Sequence, residues 1–265
     1  MKRTRWVLFL VVFAAACNIQ NTTPPPATPT QSPPTSTPKP GIVYQPAFEI
    51  DYTHPEQYLT NGEQTSISSP EALDLLRSDE KSIVHLQQIF RWLKNEFEPY
   101  SAGGKTIGVV TTDQLLEERR LGGCNDHGLV YAAAVRELGY PAVMVFTASI
   151  AWMELHQAGE AEQHIGHVFV EVYLNGRWVL IDSTNGWYVD EGYDPSDPVI
   201  PLKGSIAGSS EEVYGFYVTH KGIDQWDLGI YSPQDRFVMM EEAADEVDLE
   251  SIKYPVYDFG SLRGN

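Results

Sequence analysis

The apolar residues in the first half of the chain recur with the period of an α-helix. Spacings of three and four residues predict a helix over 83–97 with one buried face, formed by Ile83, Leu86, Phe90, Leu93 and Phe97. A shorter helix is predicted over 113–120, and a third over 124–138 that ends at a glycine and a proline. Another helix start is predicted at Ser69, because a proline follows it in the first turn.

The second half of the chain changes to the patterns of short strands. A β-rich run predicts a strand over 142–147, and the polar stretch over 154–166 is predicted to be a loop. Strands over 168–174 and 178–181 are joined by Asn-Gly at 175–176, the strongest short signal for a β-hairpin. Helices followed by such strands predict the α+β class.

The first forty residues differ from the rest in composition. The chain begins with the form of an export signal: basic residues, then an apolar run, then Cys17. The apolar run is too short to cross a bilayer. The sequence Ala-Ala-Ala-Cys at 14–17 resembles a bacterial lipoprotein signal, whose cysteine is lipidated; ordinary cleavage at Ala-x-Ala is the alternative. Prolines and threonines then predict an extended tether. We divide the chain into a signal peptide (1–16), the lipid-attachment Cys17 with its tether (17–40) and a folded domain (41–265).

The chain is strongly acidic, with 36 Asp and Glu against 18 Lys and Arg, a net charge of −18. This charge argues against nucleic acid as a partner, because phosphate binding needs clustered Lys and Arg. Residues 186–265 hold 16 of the acids and 5 of the bases. We interpret them as the solvated surface of an aromatic extension; the alternative is a cleft wall that recognises a basic substrate.

Cys124 follows two glycines and begins the third predicted helix. The backbone N–H groups and the dipole of a helix N-terminus stabilise a thiolate. The position therefore favours a reactive thiol over the inert, buried cysteine that is otherwise common. A nucleophile of this kind needs a base, and the base needs an orienting group.

The predicted hairpin brings a histidine and an aspartate together. With a two-residue turn the numbers of opposed residues sum to 351, so Asp182 opposes Phe169, and His167 lies two residues further along. Side chains alternate along a strand, so His167 and Asp182 lie on one face as diagonal neighbours. The distance between their backbones is about 7–8 Å. A contact between imidazole and carboxylate is predicted.

Four segments resemble the transglutaminase-like superfamily: Gly-Gly-Cys-Asn-Asp-His-Gly (122–128), Val-Arg-Glu-Leu-Gly-Tyr-Pro-Ala (135–142), His-Val-Phe-Val-Glu-Val-Tyr (167–173) and Trp-Val-Leu-Ile-Asp-Ser-Thr (178–184). The resemblance covers about residues 83–185. It implies a papain-like α+β fold in which the cysteine helix packs on an antiparallel sheet. By this resemblance Cys124 is the nucleophile, His167 the general base and then acid, and Asp182 the orienting residue.

The resemblance implies an enzyme that acts on amide bonds of proteins or peptides, without cofactor or metal. Water as acyl acceptor would make it a peptidase or deamidase, which we favour, and an amine would make it a transglutaminase. The backbone N–H of Cys124 is one candidate oxyanion donor, and Gln114 and Tyr100 are candidates for a second. We expect the enzyme to be exported to the bacterial cell envelope and lipid-anchored on the outer face of a membrane.

Two other functions stay open. A binding module could keep the fold without turnover. A zinc-binding protein is the second alternative, because four residues have acceptable ligand spacings: Cys124, His127, His164 and His167.

Overall fold

The computed structural model describes residues 50–202 and 214–264, together with the backbone of residues 17–18. The predicted signal peptide, most of the predicted tether and the side chain of Cys17 lie outside the described residues. Within those ranges, no helix combines the length and the apolar character needed to cross a bilayer.

Three of the α-helices are those that the apolar spacing predicts, to within two residues at each end. The described helices are α1 (Ile83–Glu96), α2 (Thr112–Glu118), α3 (Cys124–Glu137), α4 (Ile150–Gln157) and α5 (Pro233–Glu246). The helix start predicted at Ser69 is instead a 3₁₀-helix, Pro70–Leu76, and the Ser69 side chain makes no capping hydrogen bond to it.

The prediction of a loop over 154–166 is partly wrong. The helix α4 continues to Gln157, and a strand begins at Ile165. Trp152 and Met153 of α4 are buried in one apolar cluster with Met240 of α5. This packing joins segments about ninety residues apart, so the local sequence pattern does not contain it.

The strands form one main antiparallel sheet and one small parallel pair. They are β1 (Cys17–Asn18), β2 (Glu98–Pro99), β3 (Arg120–Leu121), β4 (Ala142–Ser149), β5 (Ile165–Leu174), β6 (Arg177–Asp182), β7 (Trp187–Val189), β8 (Val199–Pro201), β9 (Gly215–Gly222) and β10 (Phe259–Ser261). The main sheet has the order β10-β7-β6-β5-β4-β9-β8, and β1 pairs with the start of β5. Strands β2 and β3 form the parallel pair. The mixture of helices with an antiparallel sheet confirms the predicted α+β class.

Strands β5 and β6 form the predicted hairpin in the predicted register. Leu174 opposes Arg177, and Val170 opposes Ile181. The turn residues Asn175 and Gly176 have positive φ angles of 50° and 87°. A type I′ turn requires positive φ at both central positions, which explains why Asn-Gly marks it.

The helix α3 packs against one face of the sheet and is buried along almost its whole length. Gly128 permits the close approach, because a Cβ atom there would lie only 2.6 Å from the side chain of Val168. The other face carries Phe169 and Leu180, which are buried in a separate cluster with Phe216 of β9. Strand alternation places His167 and Asp182 on this second face.

Residues 186–265 contribute to the interior of the domain as well as to its acidic surface. Strand β9 pairs with β4 between the hairpin and β8. The helix α5 buries the side chains of Arg236, Phe237 and Met240. The acidic segment from Glu241 begins as the last part of α5, where Ala243 and Ala244 are buried.

Candidate active site

Cys124 is the first residue of α3 and lines a small cavity. The cavity has a volume of about 20 Å³, room for about one water molecule. Its walls are formed by Ile107, Cys124, Asn125, Gly166, His167, Val168, Arg236 and Met240. Cys124 is only 2% exposed. The sequence predicts a thiol at this position, whereas the sulfur is disulfide-bonded in the structure, so the residue is described in its oxidised form.

The turn before Cys124 is held by Asp126, which lies in the first turn of α3. The carboxylate Oδ2 of Asp126 accepts a hydrogen bond of 2.7 Å from the backbone N–H of Gly122. Burial raises the pKa of Asp126 above its ordinary value, and the hydrogen bonds that it accepts oppose this change. Gly122 has no room for a side chain, because a Cβ atom would overlap Ala102 and the ring of Tyr100.

The contact predicted between His167 and Asp182 is present. Nε2 of His167 lies 3.0 Å from Oδ2 of Asp182, and the two side chains are 2% and 1% exposed. The centroid of the imidazole ring lies 4.7 Å from that of Phe169 in a T-shaped contact and 5.5 Å from that of Phe216 in a stacked contact. Thr147 on β4 fixes the backbone of His167, because its hydroxyl accepts from the N–H and donates to the carbonyl.

The carboxylate of Asp182 accepts several hydrogen bonds besides the one from His167. Its two oxygens accept from the backbone N–H groups of Thr184 and Asn185 at 2.9 and 2.8 Å and from the Asn185 side-chain amide at 2.8 Å. Burial alone would raise the pKa of Asp182. The charge of His167 and the hydrogen bonds from His167 and Asn185 outweigh burial, so the pKa lies below its ordinary value. The carboxylate therefore stays ionised.

An ionised Asp182 determines which nitrogen of His167 carries the proton. A carboxylate only accepts hydrogen bonds, so Nε2 of His167 is the donor, and Nδ1 of the neutral ring keeps a lone pair. Nδ1 can therefore accept a proton, and the imidazolium that results would be stabilised by Asp182. This is the division of roles between a general base and its orienting residue.

A lysine that the sequence does not indicate, and His127, which the sequence indicates only as a possible zinc ligand, lie close to the turn that follows Asp182. Nζ of Lys94 donates to the carbonyl of Thr184 at 2.9 Å and lies 3.4 Å from Nδ1 of His127. Burial, together with the charge of Lys94, lowers the pKa of His127 to about 3. Burial lowers the pKa of Lys94 to about 8. His127 is thus neutral at pH 7, and Lys94 ties α1 to the turn that follows Asp182.

A network of buried amides, also missed from the sequence, supports the residue after Cys124. The Gln225 side chain donates to Oδ1 of Asn125 at 2.5 Å and accepts from Gln64 at 3.1 Å. Its carbonyl oxygen also accepts from the backbone N–H of Gly108 at 2.7 Å. The partners are up to 161 residues apart, so no local pattern could have indicated them.

The two candidates for a second oxyanion donor differ in their placement. Gln114 is exposed at the start of α2, where its side chain accepts from the backbone N–H of Thr111 at 2.9 Å in a capping box. It is not among the residues that line the cavity. The ring of Tyr100 lies against Gly122, two residues before Cys124. Tyr100 does not line the cavity either. Its place beside Gly122 keeps it as a candidate, whereas Gln114 serves as a helix cap.

The four residues considered as zinc ligands do not converge. Nε2 of His164 lies 2.7 Å from Glu241, and its ring stacks on Phe237 at 4.1 Å. His127 faces Lys94 instead. In the part of the chain that the structure describes, no three His, Cys, Asp or Glu side chains are grouped so as to hold a metal ion.

Comparisons with known proteins agree with the sequence motifs. Residues 72–183, which include Cys124, His167 and Asp182, match the family model described as "Transglutaminase-like superfamily". A search of curated proteins gives no match. A solved structure from Cytophaga hutchinsonii, described as a "Putative Cysteine Protease", is similar with a TM-score of 0.45 and 18% identity, over 69% of this chain and 51% of the other. The chain thus spans about half the length of that protein.

Proposed function

We propose, from the match of residues 72–183 to the model of the transglutaminase-like superfamily, that the protein is a cysteine-dependent enzyme acting on amide bonds of proteins or peptides. The observation that carries the proposal is the buried pair of His167 and Asp182, 3.0 Å apart, in which His167 shares a cavity wall with the cysteine that begins α3. A base with an orienting residue, next to a sulfur at a helix N-terminus, is the arrangement that nucleophilic catalysis requires.

The proposed reaction uses Cys124 in its reduced form. Nδ1 of His167 takes the thiol proton, and the thiolate attacks the amide carbonyl carbon. The C–N bond breaks as the imidazolium gives its proton to the leaving amine, and a thioester remains on Cys124. His167 then takes a proton from water as the hydroxide attacks the thioester carbonyl. The C–S bond breaks, the imidazolium returns the proton to the sulfur, and a carboxylic acid and the thiol of Cys124 are released. We favour water as acceptor because an exported enzyme always meets it; an amine would give a transglutaminase.

A thiol-directed alkylating probe tests the pairing of Cys124 with His167. In a Cys17→Ser protein kept in reductant, Cys124 is the one remaining cysteine of the sequence, so labelling reports on it alone. We expect labelling at pH values well below about 8.5, the ordinary pKa of a cysteine thiol. His167→Ala should slow the labelling at pH 6.5 by about 10- to 100-fold, because the thiol loses the base that ionises it.

The matched control is His54→Ala, which removes an imidazole whose side chain is 57% exposed. It should leave the labelling rate unchanged. Equal rates in the His167→Ala and parent proteins would contradict the pairing.

A binding module without turnover is the second candidate. The observation that favours it is the burial of both Cys124 and His167, each 2% exposed. The same labelling experiment separates the two functions. A reduced Cys124 that reacts no faster than a free thiol at pH 6.5 would favour the module, whereas fast, His167-dependent labelling favours the enzyme.

We also propose that the enzyme, with Cys124 reduced, is exported and anchored to the cell envelope through a lipid on Cys17. The sequence has two cysteines, so a lipid on Cys17 and the disulfide of Cys124 exclude each other. The support is the basic and apolar signal over 1–16 and the proline- and threonine-rich tether over 17–40. Expression in a bacterial host with labelled fatty acid should give a labelled protein, and Cys17→Ser should abolish the label. A wild-type protein without label would overturn the anchor, and Cys124→Ser, which leaves the signal intact, is the control.

A further inference from the structure

Arg236 is a buried cation in the wall of the Cys124 cavity. It lies on α5, is 4% exposed, and lines the same cavity as Cys124 and His167. Arg236 takes no part in the reaction proposed above. A buried charge is costly unless it is paired, so its position beside the reacting groups needs an explanation.

No carboxylate of the described residues forms an ion pair with Arg236. Its two hydrogen bonds go to neutral acceptors, from Nη1 to the Thr219 hydroxyl at 2.9 Å and from Nη2 to the Thr147 carbonyl at 2.7 Å. Burial lowers the pKa of Arg236 to about 9, which leaves the side chain protonated at pH 7. The positive charge is therefore present and is not balanced by an acid within the described part of the fold.

Acids that lie near Arg236 in the sequence are engaged elsewhere. The carboxylate of Asp235 caps α5, where it accepts from the backbone N–H of Tyr231 and from the Ser232 hydroxyl. Glu241 pairs with His164 at 2.7 Å. The acids nearest to Arg236 in the sequence are thus engaged elsewhere, and Arg236, like the buried Arg136, has no ion pair with a described carboxylate. Arg236 differs from Arg136 because it also lines the Cys124 cavity.

A purely structural role accounts for only part of this arrangement. The pairing of β4 with β9 shifts register between Phe146 and Thr147, and a carbonyl freed by such an irregularity needs a donor. Arg236 supplies one to Thr147, while Thr219 supplies one to Phe146. Neutral donors could do the same at lower cost, so this role explains the hydrogen bonds but neither the charge nor the contact with the cavity.

We propose that Arg236 binds a carboxylate of the substrate, so that the site takes amides with a carboxylate close to the scissile carbonyl. Guanidinium groups bind carboxylates through paired hydrogen bonds. Cys124 and Arg236 line the same small cavity. A carboxylate bound at Arg236 therefore leaves the carbonyl of the same or the next residue close to Cys124. The inference rests on the proposed function and is an alternative to the basic substrate considered from the acidic composition.

Two alkylating probes of similar size test the charge preference without turnover. Iodoacetate carries a carboxylate, and iodoacetamide is its neutral counterpart. In reduced Cys17→Ser protein, Arg236→Met should lower the rate of Cys124 alkylation by iodoacetate about 10- to 100-fold more than the rate by iodoacetamide. Arg236→Lys keeps the charge and should retain part of the preference. Arg91→Met removes an exposed arginine and should leave the ratio of the two rates unchanged.

A measurement on the unchanged arginine covers the case in which Arg236→Met does not fold. N-acetylalanine should protect Cys124 of the Cys17→Ser protein from iodoacetamide, and the methylamide of N-acetylalanine should not. Equal protection by the two compounds, or an equal effect of Arg236→Met on the two probes, would overturn the proposal. Fast His167-dependent labelling without any carboxylate preference would refute this inference alone, whereas slow labelling by every probe would refute the proposed function.

Discussion

Replacing Asp182 by asparagine is expected to lower amide turnover about 10⁴-fold, the loss typical of a triad whose orienting acid becomes an amide. The side chain keeps its size, but its NH₂ group is a donor. Facing Nε2 of His167, it would hold the ring in the tautomer that carries its proton on Nδ1. The nitrogen that should accept the thiol proton of Cys124 is then already protonated.

The loss should appear in the turnover number rather than in substrate binding, because Asp182 acts through His167. The measurement is the rate of hydrolysis of a peptide amide, in reductant, by the two proteins at equal concentration. Asn185→Ala removes one of the donors to Asp182 and should cost about 10- to 100-fold, as loss of a residue that orients a catalytic group does.

The control for Asp182→Asn is Asp190→Asn, the same change in a carboxylate that pairs with the exposed Arg177. It should leave turnover unchanged. An Asp182→Asn protein within tenfold of the parent would show that His167 does not depend on this carboxylate.

Replacing Lys221 by methionine is expected to destabilise the fold by about 3–5 kcal/mol. Nζ of Lys221 lies 2.5 Å from Oε1 of Glu171, and both side chains are fully buried. The hydroxyl groups of Tyr52 and Tyr193 also donate to this carboxylate. Burial raises the pKa of both tyrosines above the ordinary value, so they remain donors but cannot neutralise the charge. Without Lys221, the buried carboxylate of Glu171 loses the cation with which it forms its ion pair.

Urea unfolding of the single and double variants measures this cost. The double variant Lys221→Met with Glu171→Gln removes both charges and should recover more than half of the lost free energy, because the penalty comes from the unpaired charge. Arg177→Met, which breaks the exposed pair with Asp190, should cost about 1 kcal/mol or less. A Lys221→Met protein as stable as Arg177→Met would contradict the prediction.

The sequence could predict the parts of the site that depend on local geometry. Asn175 and Gly176 determine the turn, the turn determines the register, and the register brings His167 to Asp182. Asn185 carries a weaker local signal, because an aspartate readily accepts from backbone N–H groups two and three residues later. The helix start at Cys124 likewise follows from the two glycines before it and the apolar residues after it.

The parts that could not be predicted join residues far apart in the chain. The helix α4 lies in a stretch that the sequence pattern assigns in part to a loop, because its burial depends on α5. Arg236 is one basic residue in an acidic segment, and it reaches the cavity because α5 packs on β4 and β9, where Arg236 donates to Thr147 and Thr219. The link from Gln64 to Gln225 spans 161 residues. No pattern within a single helix or strand contains such contacts.

The position of β9 between β4 and β8 has a consequence for the order in which the site is completed. Cys124, His167 and Asp182 leave the ribosome before residues 215–246, which supply β9 and the cavity wall of α5. Chains are made from the N-terminus at about 5–20 residues per second. For the several seconds needed to make the last third of the chain, the cavity lacks the wall that α5 supplies, and β4 pairs with β5 but not yet with β9. The growing chain therefore cannot present a finished site, and competence to act arises only near the end of synthesis.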